Sequence, residues 1–204
     1  MPYNLPQRKS PRATWHDYNG ANYFITICTK NHDLYFGDVV DGRMEFSEIG
    51  EWAYQCVEKI ETINDNVFVP EFVVMPNHVH LIVIMDNTDD QRLPRCDSPT
   101  TLVDNGNPED WVVGLPYHDS RIDNDSEINE EMQRRANCCG RLSHIIGQFK
   151  SVVTKYANQC EIPFMWQPRF HDHIIRNGVE MNRIADYIQN NPMKWELDRF
   201  YKKR

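Results

Sequence analysis

The chain has 204 residues, 40% of them hydrophobic and 25% charged, a composition that supports a sizeable core in one domain or one domain with a large excursion. No apolar run reaches the roughly 18 residues a membrane span needs, no signal-type apolar stretch follows the basic start, and six cysteines occur without a C-x-x-C pair, so a secreted, disulfide-stapled or membrane protein is excluded and reduced cytosolic thiols are expected. The net charge of -8 would argue against a nucleic-acid partner if it were evenly spread, and it is not.

Residues 1–20 form a basic arm, with Arg8, Lys9 and Arg12 against Asp17 alone. Ala21 to Thr29 is aromatic and β-branched and predicts a strand. Leu34 to Val40 and Arg43 to Phe46 flank Asp41-Gly42, a hairpin signal. Ser47 caps a helix whose apolar positions run through Ile49, Trp52, Ala53, Cys56, Val57, Ile60 and Ile63, with Glu48 and Glu51 in its first turn. Val67 to Val74 and His78 to Met85 predict two strands around the turn Met75-Pro76-Asn77.

The acidity sits in the next segment. Between Asp86 and Ala136 there are 13 acidic and 5 basic residues, and the remainder of the chain is neutral. This stretch is dense in Asp, Asn, Ser, Pro and Gly and lacks sustained periodicity, with Trp111 to Leu115 its one apolar group. Such a segment rarely buries enough surface to offset its ordering entropy. It is therefore expected to be a mobile, solvated insertion at about 86–136; an acidic flap that mimics DNA and occludes a basic face is the sharper alternative. From Ala136 onward the chain is basic again, 11 against 6.

Leu142, Ile145, Ile146, Phe149, Val152, Val153 and Tyr156 then mark an amphipathic helix. Phe164 to Arg176 is expected to contain a strand, and Gly178 to Asn191 a last helix ended by Pro192, with Met181, Ile184, Ala185 and Ile188 buried. Interleaved strands and helices without repeats predict one α+β domain over residues 21–204, a sheet with helices packed on one face.

His78-Val79-His80 carries the chemistry. Residues i and i+2 of a strand share a face, so both imidazoles project together, and two neutral imidazoles are a natural divalent-metal platform. His171-Asp172-His173 repeats the spacing, but only the first pair lies in an otherwise apolar strand, where unpaired imidazoles are costly. A pair of core histidines bonded to backbone is the plain alternative. On the last helix Arg183, Tyr187 and Asn191 are spaced by four and share a face. A phenol and an amide one turn apart can offer an attacking oxygen and a metal-binding oxygen to one site. A half-buried tyrosine beside a helix-ending asparagine would look the same, and spacing alone favours that reading.

Several stretches together resemble one known family. Met75-Pro-Asn-His-Val-His-Leu-Ile-Val83 is similar to the HUH motif of single-strand DNA nucleases. Trp166-Gln-Pro-Arg-Phe170, His173-Ile-Ile-Arg176 and Asp186-Tyr-Ile-Gln-Asn-Asn-Pro192 resemble the C-terminal signature of REP-associated tyrosine transposases, and Tyr18 to Cys28 that family's first strand. The resemblance implies a ferredoxin-like antiparallel sheet, His78 and His80 as metal ligands, Asn191 in place of the third ligand, and Tyr187 as nucleophile. It further implies cleavage and rejoining of single-stranded DNA at repetitive extragenic palindromes through a 5′-phosphotyrosine, in a cytoplasmic, nucleoid-associated protein. Mg²⁺ or Mn²⁺ suits two nitrogens plus oxygens with no thiolate nearby. The acidic insertion departs from the family pattern.

For DNA contact the candidates are Arg8, Lys9, Arg12, Lys150, Lys155, Arg169, Arg176 and Arg183, with Trp15, Tyr18 and Tyr23 available for stacking on unpaired bases. Asp172 and His173 are candidates to border the site. Two rival functions stay open: a catalytically silent DNA-hairpin-binding protein, and a hydrolase using His78, His80 and His173 with water as nucleophile. No membrane partner is expected; stoichiometry stays open, with a monomer preferred.

Overall fold

The computed structural model describes residues 20–86 and 140–203. The expected arm with Arg8, Lys9, Arg12, Trp15 and Tyr18, and the acidic insertion beyond Asp86, lie outside these residues. The elements are β1 (Ala21–Cys28), β2 (Gly37–Val40), β3 (Arg43–Phe46), α1 (Glu48–Glu58), α2 (Ile60–Ile63), β4 (Val67–Phe68), β5 (Phe72–Met75), β6 (His78–Met85), α3 (Arg141–Gln159), β7 (His171–Ile175) and α4 (Gly178–Gln189), followed by a 3-10 helix (Pro192–Leu197). No helix among the described residues is long and apolar enough to cross a membrane.

The main sheet runs β4-β6-β1-β7, with β5 also on β6 and every pairing antiparallel. Its α+β character follows the sequence expectation. Alternation along β1 and β6 divides the apolar side chains between two cores. Tyr23, Ile25, Ile27, Val79, Leu81, Val83 and Met85 face α1 and α3, whose Trp52, Ala53, Val57, Ile145, Ile146 and Val153 complete the larger core. Ile82 and Ile175 face the other way, where Ile184 and Ile188 of α4 cover them. Helices thus pack on one face as expected for α1 and α3, while α4 lies on the opposite face. The sequence periodicities show that each helix has an apolar stripe; which sheet face receives it depends on the path of the connecting chain.

Three local differences from the sequence expectation have physical causes. The strand over 67–74 is split, because Pro70 offers no N–H to the ladder. Residues 69–71 then face only two residues of β6, between the Phe68↔Ile84 and Phe72↔Leu81 pairs, which is a bulge. The helix capped by Ser47 ends at Glu58, where the Lys59 amide reaches both the Gln55 and Val57 carbonyls, and the stripe resumes in α2 with Ile60 buried. Pro192 ends α4 as expected, yet the chain continues directly into the 3-10 helix, where proline suits the first position.

The start of α1 is fixed by close packing. Ser47 Oγ accepts from the Gly50 amide (3.2 Å) and donates to the Tyr35 carbonyl (2.6 Å). A Cβ on Gly50 would lie 2.0 Å from the Phe36 carbonyl oxygen, so only glycine allows this approach. Gly50→Ala is expected to destabilise the fold by roughly 1–3 kcal/mol, read as a lowered denaturant midpoint at unchanged slope.

Candidate active site

The site lies on the sheet face covered by α4. Register pairs Thr26 with His80 and Cys28 with His78, so the two histidines share that face with Thr26 and Phe24. Both are buried, at 0% and 2% exposure. Their rings are 4.5 Å apart between centroids.

Asn77 settles the proton on His78. Its Nδ2 donates to the carbonyls of His32 (3.2 Å) and Phe200 (2.8 Å), which orients the amide so that Oδ1 accepts from His78 Nδ1 at 2.8 Å. The proton therefore sits on Nδ1 and the Nε2 lone pair is bare. That Nε2 is buried without a hydrogen-bond partner. His80 Nδ1 meets the Thr26 hydroxyl at 2.9 Å, and its Nε2 faces the Tyr187 hydroxyl at 3.3 Å.

Tyr187 and Asn191 reach this point from α4 and its end. The Tyr187 hydroxyl donates to Asp198 Oδ2 (3.1 Å), and Asn191 Nδ2 donates to the same oxygen (3.3 Å). Asn191 is 3% exposed and its Oδ1 has no partner, a second bare acceptor in the cluster. Tyr187 remains 42% exposed, so one side of the phenol is open. Ligand atoms of His78, His80 and Asp198 all lie within 4.8 Å of one another, a group that can hold a metal ion. Two nitrogens with carboxylate and amide oxygens suit a hard or borderline divalent cation. The unpartnered His78 Nε2 and Asn191 Oδ1 fit such an ion, because a buried acceptor without a donor is otherwise destabilising.

Burial dominates the electrostatics. It pushes His78 well below its ordinary value, with the neighbouring His80 and His32 adding to the effect. It takes His80 down to about 4, against the opposing pull of Asp198. Both imidazoles are thus held neutral, the form that binds metal. Tyr187 is pushed up to about 12, first by burial and then by the charge and hydrogen bond of Asp198, with Asn191 and Arg199 acting the other way.

The structure gathers His78, His80, Tyr187 and Asn191, and adds residues the sequence did not single out. Asp198 and Phe200 arrive with the C-terminal segment; the Phe200 ring packs 4.8 Å from His78 and 5.2 Å from His32. Asn77 was visible beside the motif, but its role needed the fold. Asp198 carries no sequence signal, because no periodicity links it to the strand it reaches.

The other candidates do not enter the cluster, although His173, opposite Phe24, lies on its sheet face. His173 pairs in register with Phe24 and its Nε2 bonds Glu180 at 2.8 Å, so it does not join His78 and His80. The trio required by the water-using hydrolase is not assembled. Asp172 shares the register position of Ile25 and so lies on the opposite sheet face, which removes it from the border of the site. Lys150 is drawn inward, donating to the carbonyls of Gln167 (2.7 Å) and Arg169 (3.1 Å). Lys155 is on α3, across the sheet from the histidines. Arg169, Arg176 and Arg183 are exposed, and Arg183 is one turn from Tyr187.

Comparison with known proteins places this site in context. No family model matches the chain. An uncharacterised protein of Haemophilus influenzae (strain ATCC 51907 / DSM 11121 / KW20 / Rd) is 31% identical over 199 residues, covering 97% of this chain and 94% of that protein. The REP-associated tyrosine transposase of Escherichia coli (strain K12) is 30% identical over 84 residues, 41% of this chain and 42% of that protein. A solved REP-associated tyrosine transposase bound to a REP hairpin aligns with 91% of this chain and 74% of its own at 17% identity and a TM-score of 0.46. The chain belongs to one family with the Haemophilus protein.

Two outcomes follow from the geometry. Asn77→Ala frees the His78 ring, and Mn²⁺ affinity by calorimetric titration is expected to fall about 10–100-fold. Because the folded protein keeps His80 neutral down to about pH 4, the unfolded chain binds the extra proton between pH 6.5 and 4. Stability is therefore expected to drop as pH falls through that window, by about 2 kcal/mol from this residue between pH 6.5 and 5. Chemical denaturation at the two pH values checks this, and His80→Gln should flatten the slope.

Proposed function

We propose that the protein is a metal-dependent single-stranded DNA endonuclease and strand transferase acting on hairpin-forming repeats of the repetitive extragenic palindrome type. The observation that carries this reading is a half-exposed tyrosine hydroxyl beside two buried, unpartnered acceptors, His78 Nε2 and Asn191 Oδ1. The motif set and the Escherichia coli relative support the substrate class.

His78, His80 and Asn191, with the Asp198 carboxylate at the same point, would hold Mg²⁺ or Mn²⁺, and that ion would supply Lewis-acid polarisation of the scissile phosphate. The chain's own residues do the rest. The hydroxyl proton of Tyr187 is committed to Asp198, which turns the phenolic lone pairs away from the carboxylate. α4 and the Phe24 ring, edge-on to Tyr187 at 6.1 Å, limit the swing of the phenol. The Tyr187 oxygen attacks phosphorus, its proton passing to Asp198, as the bond to the 3′-oxygen breaks and that oxygen takes a proton from solvent, leaving a 5′-phosphotyrosine and a free 3′-hydroxyl. The phosphodiester is conserved as an ester of tyrosine, so a second 3′-hydroxyl can reverse the step without ATP.

A denaturing gel tests this with the full chain, a DNA hairpin carrying single-stranded flanks, and Mn²⁺ or EDTA. A covalent protein–DNA adduct is expected with Mn²⁺ only. Tyr187→Phe should abolish the adduct and retain hairpin binding on a native gel. Cleavage that survives Tyr187→Phe would overturn the nucleophile, and binding with no adduct in any metal would favour the silent hairpin binder.

A further inference from the structure

We propose that Arg199 is a catalytic residue that grips the scissile phosphate beside Tyr187, a role that rests on the strand-transfer reading above. Arg199 follows the 3-10 helix, and the residues on both sides of it are fixed to the site. Asp198 Oδ2 accepts from Tyr187 and Asn191, and its Oδ1 accepts from the Phe200 amide at 2.7 Å. The Phe200 carbonyl is held by Asn77, and its ring packs against His78. The backbone of Arg199 is thereby tethered through both neighbours to the groups around the histidines.

The side chain is also restrained. Its guanidinium carbon lies 4.4 Å from the Phe200 ring centroid, a cation–π contact beside the histidine pair. Arg199 is exposed, and among the described residues it has no carboxylate partner within ion-pair distance. Exposed arginines are ordinarily solvated surface. This one differs because its chain neighbours Asp198 and Phe200 both contact the site and its guanidinium is held over the ring that packs against His78.

The chemistry needs a cation at this place. Asp198 already sets a negative charge against the Tyr187 hydroxyl, and an incoming phosphodiester adds another. A guanidinium donates two parallel hydrogen bonds to phosphate oxygens and keeps its proton throughout. Lys150 is engaged with carbonyls across the sheet, so it cannot serve. As the tyrosine–phosphorus bond forms and the bond to the 3′-oxygen breaks, the electron pair leaves on that oxygen. Arg199 holds the non-bridging oxygens through the step without being consumed.

The test uses the full chain with Arg199→Ala, Arg199→Gln and Arg199→Lys, and Lys202→Ala as control, since Lys202 pairs with the exposed Asp33 at 2.6 Å. In single-turnover reactions with Mn²⁺, Ala and Gln should lower the rate of adduct formation about 10²–10³-fold, with Lys recovering part of it. Hairpin affinity and thermal midpoint should stay near wild type. A readout without turnover uses Tyr187→Phe: it should bind a strand with a charged scissile phosphate more tightly than one with a methylphosphonate there, and adding Arg199→Ala should erase that preference. Wild-type rates in Arg199→Ala, parallel loss of hairpin affinity, or a preference unaffected by Arg199→Ala would each overturn the proposal. Absence of any adduct from wild type with the phosphate preference intact would instead sink the tyrosine reading and leave the Arg199 contact standing.

Discussion

The register of β6 against β1 is the constraint on which the site depends. Thr26 opposite His80 and Cys28 opposite His78 put both imidazoles on the face covered by α4, while Val79 and Leu81 enter the larger core. A slip of one residue would exchange these sets, burying two imidazoles among aliphatic side chains and turning the aliphatics onto the site. The apolar residues therefore specify the register, and the histidines inherit their positions from it. The bulge at 69–71 lets the neighbouring edge absorb Pro70 while Val73 still pairs with His80.

Within that frame the site is built to keep nitrogen lone pairs bare. Burial holds the imidazoles neutral, Asn77 fixes the proton on the far side of His78, and Thr26 anchors His80. Leaving acceptors such as His78 Nε2 and Asn191 Oδ1 unpartnered costs stability, on the order of 1–3 kcal/mol each where no donor arrives. A cation is the natural donor-equivalent for both. The same burial opposes ionisation of Tyr187, and Asp198 opposes it further, so the phenol is held protonated.

The C-terminal segment connects these parts. Trp195 of the 3-10 helix is buried, Phe200 rests on the histidine pair, and Asp198 joins Tyr187 to Asn191 through one oxygen. Because Pro192 redirects the chain rather than simply ending α4, these residues return to the sheet within a few positions. The Asn77 amide bonding to the Phe200 carbonyl ties this segment to the strand that carries the histidines.

Short-range pattern determined a good deal. Alternation placed His78 and His80 on one strand face, helical spacing put Tyr187 and Asn191 on one side of α4 and its end, and the Asp-Gly turn, the Ser47 cap and Pro192 marked element ends; each is a property of neighbouring residues. Where the pattern fell short, the deciding partner was remote in sequence. The inward turn of Lys150 depends on carbonyls of the 167–169 loop. Asp172 looked like a neighbour of the site until pairing with Ile25 set its face. Asp198, Arg199 and Phe200 were illegible for the same reason. The sequence by itself determined which side chains share a strand or helix face, since that follows from backbone period. Only the tertiary structure decided which faces meet, because α4 and the segment after it reach the sheet through loop paths and packing that no local period encodes.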